Sequence, residues 1–343
     1  MKLGMEIPYT EGFKGATDKV VAYEKAGLDV AWVPEAYGFD AVSALGYLAA
    51  RTERLTVASG ILNVFTRTPT LLAMTAAGID SLSDGRFILG LGASGPQVVE
   101  GFHGVRYDAP LGRTREIVEI CHKVWRRERL VHEGRHYEMP LDPAKGTGLG
   151  KPLKMITTPE RERIPIWLAA LGPKNVRMVA EVAEGWLPLL FLPERAGRVW
   201  GSELAAGAAV RDPELAPLQI AAGGLLAIGD DAAASLELAR PMIALYVGGM
   251  GARGANFYND LMVRYGFEAE AAEIQDLYLD GKRAEAAAKV PEEFLRLSNL
   301  CGSEGFVRER IAAFAEAGVT VLNVNPVGDD PVGLIEKVRG WLP

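Results

Sequence analysis

Residues 22–33 read AYEKAGLDVAWV, and this stretch decides the fold. A helix ends with Glu24 and Lys25 on its outer face, Gly27 stops it, and a short apolar strand follows. Glycine just past a helix, ahead of a β-branched run, marks a helix-to-strand junction. The pattern recurs at 180–189, AEVAEGWLPL, with Gly185 as the stop, and at 313–324, AFAEAGVTVLNV, with Gly318. Three copies spread along one chain imply repeated strand–helix units on a parallel sheet.

Working outward, strands are expected near 2–7, 30–33, 55–60, 87–91, 166–169, 186–190, 218–228 and 319–324. Helices are expected at 16–26, through SALGYLAA (43–50), at 70–82 and 114–127, from Pro173 onward, and at 332–342. Eight units predict an α/β protein of the (β/α)8 TIM-barrel type, a single domain over 1–343. Two segments interrupt the units. Residues 129–160 read as a hairpin and a Gly/Lys-rich loop. Residues 247–302 read as an insertion after the seventh helix, opening on VGGMGARGANFYND. Long insertions in barrels tend to lie over the C-terminal face and shape the pocket.

The 343 residues are 49% hydrophobic and 24% charged, with a net charge of −7, an ordinary globular composition. No basic stripe stands out, which argues against nucleic acid as a partner. Two cysteines, Cys121 and Cys301, make no disulfide framework and suit a reducing compartment. The N-terminus lacks a signal-peptide core, and no apolar run reaches the roughly 20 residues of a membrane span. A cytoplasmic protein with no membrane partner is expected.

The site is expected around 57–69, VASGILNVFTRTP. An apolar strand is broken at Ser59-Gly60-Ile61, where glycine permits close approach by a ligand or another backbone. Polar Asn63, Thr66, Arg67 and Thr68 follow. Ligands bind at such strand C-termini. Glu35, at the end of the second strand, is either a solvated loop acid or a functional one. Gly172-Pro173-Lys174-Asn175 opens a helix directly after a strand and offers free N–H groups to an anion. The glycine-dense run 248–254, with Arg253, is a phosphate or acidic-tail contact or a lid hinge. Two short motifs mislead. HExxH at 132–136 carries Gly134 and reads as a hairpin, not as a zinc helix. GxGxxG at 90–95 follows the fourth strand and opens no clean helix, so its glycines are read as letting a flat ring lie close. Cys121 reads as core.

Four longer blocks add a resemblance: SGILNVFTRTP (59–69), LSDGRFILGLGASGPQVVEGFHG (82–104), GPKNVRMVAEVAEGWLP (172–188) and YVGGMGARGANFYNDLMVRYG (246–266). Through them the chain resembles the bacterial luciferase-like monooxygenase superfamily, and within it the actinobacterial deazaflavin-dependent oxidoreductases that use coenzyme F-420. The resemblance implies a cis peptide at Gly60-Ile61 backing the deazaflavin ring, with Leu62 and Asn63 on the same wall. It implies ring and ribityl contacts at Ser94 and Gln97, and a phosphate site at Gly172 and Pro173. Lys174, Arg253 and Lys151 are candidate cations for the cofactor tail. Sugar-phosphate and alcohol dehydrogenases of that family place a histidine after the second strand; this chain has Glu35-Ala36-Tyr37. Where those relatives carry a glutamate after the fourth strand, it has Pro96-Gln97. Glucose-6-phosphate is thereby disfavoured, and Glu35 with Tyr37 becomes the expected acid/base pair. The implied activity is hydride transfer between F-420 and a small organic substrate; the aromatic and Met residues of the two insertions point to an apolar or aromatic one. The alternatives are an FMN-dependent two-component monooxygenase and a non-catalytic deazaflavin binder. The resemblance also implies a homodimer through the second and third helices, with Ala73, Ala76, Ala77 and Gly78 permitting close packing.

Overall fold

The computed structural model describes residues 1–8, 12–229 and 232–343. Eight strands form one parallel ring: β1 Lys2–Glu6, β2 Val30–Val33, β3 Thr56–Ser59, β4 Phe87–Gly92, β5 Ile166–Ala169, β6 Gly185–Leu187, β7 Gln219–Ile228 and β8 Val321–Pro326. Neighbours in the chain are neighbours in the ring. It closes where Lys2 pairs with Val321 and where Gln219 pairs with Gly185. The outer helices are α1 Phe13–Lys25, α2 Ala41–Arg51, α3 Pro69–Leu82, α4 Pro110–Trp125, α5 Pro173–Val182, α6 Pro193–Ala208, α7 Glu304–Glu316 and α8 Pro331–Arg339. This is the (β/α)8 barrel read from the sequence, with its eight strands at the expected places. No helix among the described residues is long and apolar enough to cross a membrane.

Period-2 alternation sorts each strand's side chains. On β1, Leu3 and Met5 join the core between sheet and helices, while Gly4 faces the barrel axis. The axis is filled by Val30, Trp32, Ala58, Trp167, Ala221 and Val321. Trp32 and Trp167 meet with ring centroids 5.3 Å apart. The Trp32 indole N–H donates to Asn323 Oδ1 at 3.0 Å, so the buried donor is satisfied. Two indoles fit in a small barrel only because their neighbours lack side chains. A Cβ on Gly4 would collide with Asn323 and Val321, and a Cβ on Gly185 would enter the Trp167 ring.

Several expectations change. Gly27 and Gly318 do end helices with positive φ, 106° and 87°. Gly185 does not: it lies inside β6, and room for Trp167 is what excludes a side chain there. The fourth helix begins at Pro110, not near 114, because a proline at the first helical position costs no hydrogen bond. Residues 300–302, expected inside the insertion, form a short strand. It pairs with Leu226–Ile228 of β7 beyond the reach of β6. The insertion therefore precedes α7 instead of following it. Ala73, Ala76 and Ala77 are buried within the chain, where α3 packs on α4 and Ala73 O accepts from the Trp125 indole at 2.9 Å. They are not available to a second copy. The 129–160 segment does contain the expected hairpin, His132–Glu133 against Glu138–Met139. His132 Nε2 and the N–H groups of Arg135, His136 and Tyr137 all meet the Glu116 carboxylate, which explains the HExxH text without a metal.

Gly185→Ala should therefore overpack the lumen and cost about 1–3 kcal/mol, read as a lowered urea midpoint. Part of that loss should return in a Trp167→Leu background. Equal losses in both backgrounds would show that Trp167 is not the reason for the glycine.

Candidate active site at the C-terminal mouth

The mouth is built from the ends of the strands. β3 pairs with β4 through Val57↔Phe87 and Ala58↔Ile88, and pairing resumes at Leu62↔Leu91 and Asn63↔Gly92. Three residues, Ser59, Gly60 and Ile61, thus face two, Leu89 and Gly90: a β-bulge, which re-aims a strand next to a site. The Gly60-Ile61 peptide is cis, as the resemblance implied. Gly60 N–H donates to Val33 O at 2.8 Å. A Cβ on Gly60 would lie 3.0 Å from Trp32 Cβ, so any side chain there presses on the lumen.

Ser59 was expected to touch a ligand. Instead it is fully buried, its hydroxyl donating to Gly90 O at 2.9 Å and accepting from Gly90 N–H at 2.8 Å. It staples the bulge to β4. Gly90 and Gly92 serve the same contact. A Cβ on Gly90 would collide with Ser59 O, and one on Gly92 would sit 3.0 Å from Ile61. Gly90 admits the neighbouring backbone, and Gly92 leaves room for the Ile61 side chain. Asn63 is buried and caps its own turn, Oδ1 accepting from Phe65 N–H at 2.9 Å. Ser94 is exposed in the left-handed region at φ 56°, its carbonyl accepting from the Tyr107 hydroxyl at 3.4 Å. Gln97 is exposed in the short helix Pro96–Val99.

Glu35 is tied down. Arg67 donates to both of its oxygens at 2.7 Å and also reaches Asp40 at 2.9 Å, while Ala41 N–H donates to Glu35 Oε2 at 3.1 Å. That pairing locks the β2–α2 loop to the β3–α3 loop, and it speaks against Glu35 as a free base. Tyr37 is 59% exposed in the adjoining turn, its ring 6.3 Å from Phe102.

A residue not foreseen takes the central place. Glu6 ends β1 on the same inward parity as Gly4 and pairs in register with Trp32 of β2. Its side chain is exposed at the C-terminal end of the strand, while protein atoms crowd its carboxyl. Enclosure governs its proton affinity, and burial raises its pKa. Alternation was the available signal: in KLGMEI the charged residue falls on the inward parity at a strand's C-terminal end. The rest of the mouth is aromatic. Phe65 and Tyr107 stand 5.0 Å apart, and Tyr246 and Tyr258 of the insertion 4.7 Å apart.

On the β5 side, Gly172 starts α5 with no side-chain cap, leaving first-turn N–H groups open to an anion; Pro173 and Lys174 are exposed beside it. The preceding loop is rigid. Leu171 O accepts from the Trp200 indole at 3.0 Å and from Arg264 Nη2 at 2.9 Å. Arg264 Nη1 is buried without a partner. An uncapped helix start beside a half-buried guanidinium fits an anionic tail, and the bulge fits a flat ring. Arg253 pairs with Asp276 at 2.9 Å, with both partners exposed.

Comparison with known proteins agrees with this geometry. A family model described as luciferase-like monooxygenase matches residues 1–321. A Mycobacterium tuberculosis protein named as a coenzyme F-420-dependent oxidoreductase is 41% identical, over 99% of this chain and 97% of its own. The 5,10-methylenetetrahydromethanopterin reductase of Archaeoglobus fulgidus is 26% identical over 98% and 97%. The solved F-420-dependent tetrahydromethanopterin reductase of Methanopyrus kandleri superposes with a TM-score of 0.81 at 21% identity, covering 99% of this chain and 98% of that one.

Because the folded-state pKa of Glu6 lies above its unfolded value, its burial costs nothing while both states are protonated, and stability is lost as pH rises through the folded value. Glu6→Gln should thus match the parent in Tm near pH 4, about the unperturbed glutamate value. It should exceed the parent increasingly toward pH 8. A Tm difference that stays flat across that range would refute the enclosure of Glu6.

Proposed function

The chain belongs to the luciferase-like monooxygenase family, and from that premise we propose that it is a coenzyme F-420-dependent oxidoreductase acting on a small organic substrate. The observation that carries this reading is the bulge at Gly60-Ile61 facing Gly90 and Gly92, a flat wall at the mouth of a plugged barrel. The relative at 41% identity, matched over almost its whole length, supports the choice of cofactor. When bound, the deazaflavin supplies two-electron hydride chemistry at its C5. The chain's own residues bind and orient. The bulge backs one face of the ring. The start of α5, with Gly172, Pro173 and Lys174, and the half-buried Arg264, whose Nη1 has no partner among the described residues, take the anionic tail. Ser94 and Gln97 border the wall on the β4 side. Glu6, whose pKa is raised by burial, ends β1 as the candidate to hold or pass a proton. Glu35, held by Arg67, positions the loop that carries Tyr37.

Fluorescence-quenching titration of the purified protein with F-420 and with FMN tests this reading. Saturable binding of F-420 at micromolar concentration, with FMN much weaker, is the expected result. The reverse preference would move the protein to a flavin-dependent monooxygenase, and binding of neither would remove the cofactor reading.

We also propose that a second copy covers α3. Its exposed face carries Leu71, Met74 and Leu82, 46%, 57% and 66% exposed, with Gly78 between them. A row of large apolar side chains on one helix face is the kind of surface a homodimer buries. Leu71→Glu with Met74→Glu should halve the mass found by sedimentation at unchanged circular dichroism. An unaltered mass would place any interface elsewhere.

A further inference from the structure

Between β7 and α7 the chain leaves the barrel and builds a wall over its mouth. The helix Arg240–Ala244 widens into one turn of π-helix, Leu245–Gly249, and a new helix starts at Phe257. Single π-turns are rare and gather at functional sites. This one has two visible causes. Gly248 and Gly249 lie directly on Tyr278, where a Cβ on either would collide with that side chain. Asn256, 1% exposed, ties the turn to the next helix. Its Nδ2 donates to the carbonyls of Tyr246 (3.0 Å) and Val247 (2.9 Å), and its Oδ1 accepts from the N–H groups of Tyr258 (2.9 Å) and Asn259 (3.2 Å). One buried amide thereby fixes both segments that carry the tyrosine pair, whose rings cross at 62°.

The pair stands beside the ends of β1 and β2. The Tyr246 phenol lies within electrostatic reach of Glu6 and of Tyr37, and Tyr258 within reach of Tyr246 and Tyr107. Burial first, then the Glu6 charge, then Tyr37 push the Tyr246 phenol up to about 12, so it remains a neutral O–H donor at physiological pH. The hydroxyl needs an acceptor, and the mouth is where a substrate would supply one.

We infer that Tyr246 is a specificity-determining residue of the substrate pocket. Its phenol donates a hydrogen bond to a single acceptor, a carbonyl oxygen or imine nitrogen, on an otherwise flat and apolar substrate. Asn256 is the positioning residue that aims it. This deepens the oxidoreductase reading and rests on it for the identity of the ring on the opposite wall.

The test is ligand-observed NMR with a panel of small cyclic ketones, enones and imines and their matching hydrocarbons. Each is run at millimolar concentration against apo and F-420-loaded protein. At least one carbonyl or imine should bind the parent and bind Tyr246→Phe about fivefold more weakly, the loss expected for one hydrogen bond. The hydrocarbons should bind both proteins alike, and F-420 affinity should not change. Asn256→Asp keeps the acceptor that caps the helix but loses the donors to the π-turn. It should remain folded by circular dichroism and show the same selective loss. Equal acceptor preference in the parent and Tyr246→Phe would overturn the inference, as would absence of binding by every carbonyl and imine. Unaltered preference in folded Asn256→Asp would overturn the positioning role. Failure of F-420 to bind the parent would sink the cofactor reading alone, because the apo panel still reports on Tyr246.

Discussion

Two indole rings in contact across the barrel axis are the constraint on which the remaining structure depends. Trp32 and Trp167 turn the lumen into a solid plug, so nothing small can pass below them and the mouth acquires a floor. Aromatic side chains of this size bury on the order of 150–250 Å² each, and that burial is favourable only if the surrounding backbone yields space. It yields at Gly4 and Gly185. The same plug limits β3, because a side chain at Gly60 would press on Trp32 from above. The bulge, the floor and the place of Glu6 are thus parts of one packing solution.

That arrangement separates duties between the two ends of the barrel. Near the N-terminal ends, carboxylates serve structure. Glu24 accepts from the N–H groups of Glu53, Arg54 and Leu55 and sets the entry to β3. At the mouth, the Glu6 carboxyl has no ion pair among the described residues, and crowding by protein atoms raises its proton affinity. A carboxyl kept in that condition is a cost to stability above its pKa, which is what a functional group in a destabilising environment looks like. Glu35 shows the contrast: it has the position expected of an acid/base residue, but the Arg67 fork spends its charge on joining two loops.

Motif text and residue role part company at several glycines and at one serine. Ser59 and the glycines of 90–95 looked like ligand contacts because small and polar residues at strand ends so often are. In the fold Ser59 and Gly90 satisfy each other, hydroxyl to backbone, and Gly92 makes room for Ile61. Gly185 looked like a helix stop by analogy with Gly27 and Gly318, yet only the latter two adopt positive φ. A one-dimensional pattern cannot tell a glycine required by its own backbone from one required by a side chain across the barrel.

The sequence by itself determined the barrel, since each strand–helix unit declares itself through local periodicity and local punctuation, and eight such units in a row leave few topologies. The long blocks around 59–69 and 172–188, through the family they resemble, also placed the bulge with its cis peptide and singled out the helix start at Gly172. Only the tertiary structure decided which groups meet. Glu6, Tyr246, Tyr258 and Asn256 come from opposite ends of the chain, and no spacing rule links them. Their roles follow from enclosure, from which face of a strand points inward, and from a single amide bridging two backbone segments. Those properties belong to the packed molecule and have no counterpart along the chain.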